Sequence, residues 1–230
     1  MIKAVGFDYG NTLTSSGMPL NWQQFHPEAL TAALAATDSG INPDKLATGE
    51  KILFKYNTRV NERDYEVTSD TVFADLFQAW GIADLSLLKP AKDAFYPSFF
   101  NRTEVYPETE SVLKELKKKN IKIGVLSNTA YGADKEYLIG STPQINRYFD
   151  CCLASMEVGF RKPHTAGFHQ LLQALQVQAD ECLFVGDEPV DVIGANRAGM
   201  VSVLINRSGE KRDYGQKYTI SYLQDILKLV

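Results

Sequence analysis

The chain has 230 residues, 44% hydrophobic and 23% charged, with a formal charge of -4 and a pI near 5.5. This is an ordinary globular balance with material for a full core and a second small unit, and it carries no basic footprint for nucleic acid. No window approaches 18 uncharged apolar residues, and Met1-Ile2-Lys3-Ala4-Val5 lacks the apolar region of a signal peptide, so a soluble, cytoplasmic protein with no membrane partner is expected. Cys151, Cys152 and Cys182 match neither a disulfide framework nor a zinc-ligand spacing and are expected to be small buried strand residues. His26, His164 and His169 are too dispersed for a histidine metal site.

The first predicted element, Ile2 to Phe7, has the length and β-type content of a buried strand, and Gly10-Asn11 is turn chemistry just after it. Asp8 therefore falls at the carboxyl end of a strand, where open α/β sheets place their ligands. From Asn21 to Tyr106 no strand is evident and helical patterns follow one another. Phe25, Ala29, Leu30, Ala33 and Leu34 form the first. Asn42-Pro43-Asp44 opens the second, and Thr68, Ser69 and Asp70 cap a third that Gly81 closes. A fourth, around Leu85 to Phe99, is interrupted by Pro90 and Pro97.

At Pro107 the pattern becomes alternating. A helix over Pro107 to Lys119 is followed by a strand over Ile121 to Leu126 that ends at Ser127-Asn128, and a short helix spans Asp134 to Ile139. A strand over Cys151 to Ala154, a helix after Lys162-Pro163, a strand over Cys182 to Val185, a helix over Pro189 to Ala198 and a strand over Val201 to Ile205 complete the series. Strands alternating with helices predict an α/β fold built on a doubly wound parallel sheet.

Polar groups then stand at four strand ends or adjoining turns: Asp8, Ser127 with Asn128, Lys162, and Asp187 with Asp191. In a doubly wound sheet these converge on one rim. Taken alone, Gly186-Asp187-x-x-x-Asp191 also suits a helix cap followed by a solvated helix residue. As a set, Phe7-Asp8-Tyr9-Gly10-Asn11-Thr12-Leu13, Val125-Leu126-Ser127-Asn128, Gly159-Phe160-Arg161-Lys162-Pro163 and Val185-Gly186-Asp187-Glu188-Pro189-Val190-Asp191 resemble the four motifs of the haloacid dehalogenase (HAD) superfamily, in order and over the whole chain.

The resemblance implies a Rossmann-like core and a hydrolase in which Asp8 is the nucleophile, forming an aspartyl-phosphate. Lys162 would neutralise part of the gathered charge, and Ser127 with Asn128 would hold phosphate oxygens. It implies Mg2+ as cofactor, bound by Asp8, the Gly10 carbonyl and Asp187, with Asp191 ordering water on the metal. Asp8 and Ser127 are 119 positions apart, so a helical insert belongs in that gap, resembling the family's helical caps. The expected division is a core of residues 1–16 and 104–230 and a cap of residues 17–103, where Lys55, Arg59 and Arg63 are candidates to face an anionic substrate. The expected partner is a small phosphorylated molecule, and the expected assembly a monomer or homodimer.

One position departs from the family. Its phosphatases usually carry a second aspartate two residues after the nucleophile, as general acid and base, and here that place is Gly10. A magnesium-dependent phosphatase is the first reading. A phosphonate hydrolase using Lys45, Lys51 or Lys55 as Schiff base, a haloacid dehalogenase, or a non-catalytic member that binds phosphate or a partner are the alternatives.

Overall fold

The computed structural model describes residues 1–15 and 22–230, so the expected boundary at 16/17 lies outside the described residues. Strands β1 (Ala4–Phe7), β2 (Thr14–Ser15), β3 (Glu104–Val105), β4 (Lys122–Ser127), β5 (Cys151–Ala154), β6 (Cys182–Gly186), β7 (Val201–Ile205) and β8 (Tyr218–Ile220) form two sheets. The main sheet is six-stranded, in the order β5-β4-β1-β6-β7-β8, and every pairing in it is parallel. Phe7 pairs with Val125 on one side and Val185 on the other. The chain leaves β1 first to one side and later returns to the other, so the carboxyl ends of β4, β1 and β6 flank one crevice.

Helices α1 (His26–Ala35), α2 (Pro43–Tyr56), α3 (Ser69–Trp80), α4 (Leu88–Phe95) and α5 (Pro97–Phe100) make up the insert. The Asn42 side chain accepts from the Lys45 N–H at 2.9 Å, and Gly81 closes α3 with φ of 70°. These are the start and stop signals read in the sequence. Pro90 does not break α4, because it lies in the first turn, where its missing N–H has no intrahelical partner to lose.

The remaining helices, α6 (Thr109–Lys118), α7 (Lys135–Gly140), α8 (Pro143–Asn146), α9 (Ser155–Val158), α10 (Ala166–Leu175) and α11 (Pro189–Arg197), belong to the alternating part. Val112, Leu113 and Leu116 of α6 pack with Val5, Phe7, Ile123 and Val125 in one core cluster. Phe168, Leu171 and Leu175 of α10 pack with Leu126, Phe184 and Ala195 in another. The close approach of α10 needs bare backbone beneath it: a Cβ on Gly124 would lie 2.6 Å from Leu171 Cδ1.

Three expectations change. The region from Asn21 to Tyr106 contains β3, which pairs antiparallel with β2 where the chain leaves and re-enters the core; two-residue strands are too short to show an alternation. The sheet gains a sixth strand, β8, whose first two residues are exposed at the edge and so lack an apolar pattern. Cys151 and Cys152, expected buried, are half-buried in the opposite edge strand, whereas Cys182 is closed off in β6.

Candidate active site

Each rim residue is placed by the end of an element. Asp8 directly follows β1, and its N–H donates to the Val185 carbonyl at 2.8 Å, which ties it to the neighbouring strand. The tight turn beyond it falls on Asn11, with φ of 55°, and not on Gly10. Asparagine is among the residues that adopt this left-handed conformation most readily. Ser127 ends β4, and Asp187 follows β6. Asp191 sits in the first turn of α11, accepts from the Glu188 N–H at 3.0 Å, and lies over Gly186 so closely that a Cβ there would be 2.2 Å from its Cγ.

Lys162 joins the set. Its ammonium is 2.5 Å from Asp8 Oδ1 and 2.6 Å from Asp191 Oδ1, and its side chain is only 3% exposed. Burial alone would lower its pKa, but Asp191 and Asp8 outweigh that and raise it, so the ammonium stays charged. Asn128 clamps the lysine's backbone: its Oδ1 accepts from the Lys162 N–H at 2.8 Å, and its Nδ2 donates to the Lys162 carbonyl at 3.1 Å. The Asn128 side chain is thus committed to holding the Lys162 loop. Ser127, Asn128, Asp8, Gly10, Lys162 and Asp187 line one small cavity together with Arg59 and Glu188.

The carboxylates of Asp8, Asp187 and Asp191 offer oxygens within 4.8 Å of one another. Burial, reinforced by Asp8, Asp191 and Glu188, pushes Asp187 up to about 8; burial, partly offset by Lys162, pushes Asp191 up to about 7. Burial raises Asp8 as well, against the pull of Lys162. Three crowded carboxylates that resist ionising together, with one lysine among them, form an oxygen-only donor set fitted to a hard divalent cation.

The insert reaches this rim through Arg59, whose Nη1 donates to Glu188 Oε1 at 2.6 Å. Arg59 is the insert residue that lines the Asp8 cavity among the described residues. Lys55 instead pairs with Asp75 on an exposed face, and Arg63 folds back on the Tyr56 carbonyl at 3.1 Å and on Glu66. Lys45 reaches the Ser39 carbonyl, and neither it, Lys51 nor Lys55 lines the Asp8 cavity.

Several contributors have little sequence signal. Glu188 is marked only by adjacency to Asp187. Glu66 of the insert forms a buried ion pair with Arg161, and Ser155 Oγ donates to the same carboxylate at 2.5 Å. Arg161 also donates to the Thr129 carbonyl at 2.9 Å. Nothing in the local pattern around Glu66 distinguishes it from a solvated acid.

The chain matches the model of the haloacid dehalogenase-like hydrolases over residues 2–199. It is 30% identical to a glyceraldehyde 3-phosphate phosphatase of Methanothermobacter thermautotrophicus, an alignment covering 100% of this chain and 98% of that protein. Among solved structures it is similar to a HAD phosphatase from Thermococcus onnurineus (TM-score 0.66, 26% identity, 99% of this chain and 97% of that one). It is also similar to a 2-haloacid dehalogenase from Pseudomonas syringae pv. Tomato (TM-score 0.70, 25% identity, 100% and 98%).

Proposed function

Because the chain belongs to the haloacid dehalogenase-like hydrolases, we propose that it is a magnesium-dependent phosphatase acting on a small phosphorylated molecule through Asp8. The observation that carries this reading is the cluster of Asp8, Asp187 and Asp191 around Lys162 at the carboxyl ends of β1 and β6. The similarity to glyceraldehyde 3-phosphate phosphatases agrees with it.

Asp8 attacks phosphorus, and the bond to the leaving oxygen breaks as the aspartyl-phosphate forms. Lys162 offsets the charge of Asp8 and of the phosphate from within the protein, where an ammonium acts at low dielectric. Ser127 offers its hydroxyl to a phosphate oxygen, while Asn128 keeps Lys162 in place. Asp8, the Gly10 carbonyl and Asp187 would hold magnesium, with Asp191 beside it, and the ion would supply the positive charge that three carboxylates and a phosphate require. Residues 17–103 act as a cap that excludes water and shapes the substrate site, the boundary at 104 falling on β3.

A haloacid dehalogenase is the second reading, favoured by Gly10, since a departing halide needs no proton. The acidic cluster weighs against it, because three carboxylates in one place call for a cation. Asp8→Asn tests the central claim. It should abolish turnover while leaving the melting temperature near that of the parent, because asparagine is nearly isosteric but is not a carboxylate nucleophile. Parental turnover in Asp8→Asn would remove it.

A further inference from the structure

Next to the Asp8 cavity lies a second one of about 90 Å³, and the two share Gly10, Arg59, Ser127 and Asn128. Trp22, Phe25, Phe99, Phe100 and Leu138 form much of its wall. Among the described residues the polar side-chain groups that line it are hydroxyls, amides, the Trp22 indole N–H and the Arg59 guanidinium, with no carboxyl or imidazole group. The Tyr9 hydroxyl is turned onto Thr142, and the Thr129 hydroxyl donates to the Ala133 carbonyl. Among the described residues this cavity thus offers a leaving group an apolar wall and no acid, the carboxyl groups of Asp187 and Glu188 lying in the Asp8 cavity.

We infer that the substrate is a phosphate ester of an acidic hydroxyl, a phenol or an enol, with a compact apolar body, whose oxygen leaves as a free anion stabilised by Arg59. This deepens the phosphatase reading and rests on it. As Asp8 bonds to phosphorus, the pair of the breaking P–O bond stays on the leaving oxygen. Water then attacks phosphorus and the Asp8–phosphorus bond breaks, so the carboxylate is restored, and water's proton goes to the phosphate or the solvent. Arg59 spans both cavities, and its guanidinium has five donors, of which Glu188 takes one. A cation beside the leaving oxygen lowers the energy of its developing charge without giving up a proton. The aromatic wall favours a flat or compact apolar group over a hydrated polyol, which would leave its hydroxyls unpaired there.

Single-turnover release of the leaving group, with enzyme in excess and magnesium present, tests this directly. 4-Nitrophenyl phosphate is expected to release its phenol about 10²- to 10⁴-fold faster than glycerol 3-phosphate releases glycerol, the range that a general acid normally supplies. Rates along a series of substituted phenyl phosphates should follow the acidity of the phenol. Arg59→Met should slow the series by about 10²-fold, the usual loss for one oxyanion donor, and Arg59→Lys should restore part of it. Equal rates for glycerol 3-phosphate and 4-nitrophenyl phosphate, or a rate unchanged in Arg59→Met, would overturn the inference and leave the phosphatase reading standing. No release from either ester would overturn the phosphatase reading itself.

Discussion

On the proposed aspartyl-phosphate route, Gly10 decides how the second half of the reaction runs. With no carboxylate at that position, water would meet no base there, so an aryl phosphate should give a burst of phenol followed by slow steady release. Gly10→Asp should accelerate the slow phase and raise turnover of alkyl phosphates, up to the roughly 10²- to 10⁴-fold typical of general acid–base catalysis. The left-handed turn falls on Asn11, so the substitution meets no positive φ at position 10. Stopped-flow phenol release and a melting curve for the mutant check both points. The acidic cluster gives a second prediction at this scale. Magnesium should raise the melting temperature by binding only the folded state, and Asp187→Ala should lose most of that shift. An equal shift in both proteins would place the ion elsewhere.

At the scale of elements, α1 is fastened to the loop after β4 through His26, whose Nε2 lies 2.5 Å from the Tyr131 hydroxyl. Burial lowers the His26 pKa from 6.5 to about 4. The folded protein therefore keeps this imidazole neutral while the unfolded chain protonates it below 6.5. Stability should be complete above pH 6.5 and fall as pH drops toward 4, by roughly 3 kcal/mol over that window. The difference in melting temperature between the parent and His26→Gln, followed from pH 7.5 to 5, isolates this contribution; parallel curves would refute it. Helices with caps, such as α2 and α3, were legible in the sequence because a local side-chain bond or a left-handed glycine starts and stops them. The β2–β3 pair was not, because its two partners are separated by the whole insert and neither shows a period. Asp8 and Asp187 stood out because each follows a strongly patterned strand, Lys162 and Asp191 because the four motifs match as a set. The role of Asn128 did not, because a strand-end amide looks the same whether it holds a ligand or the next loop's backbone.

For the whole molecule, the insert and the core are joined by more than the chain that links them. Ala130, Tyr131 and Ala133 of the loop after β4 belong to the same apolar cluster as Phe73, Phe95 and Trp80 of the insert. Gly132, with φ of 66°, leaves no room for a side chain, since a Cβ would sit 2.1 Å from the Val67 carbonyl oxygen. Beside it, Glu66 and Arg161 pair in nearly full burial. Glu66→Gln should cost about 3–5 kcal/mol, because it leaves a buried guanidinium without its counter-charge. Chemical denaturation measures that loss, and a change under 1 kcal/mol would show that water or another acid takes over. Arg161 and Lys162 are consecutive, one gripping the insert and the other Asp8. The dipeptide is in effect a rivet: the guanidinium that holds the insert and the ammonium that sits against Asp8 and Asp191 hang from one peptide bond. A single residue inserted between 161 and 162 would separate the two grips, so that insert and rim would no longer be held from one point of the chain.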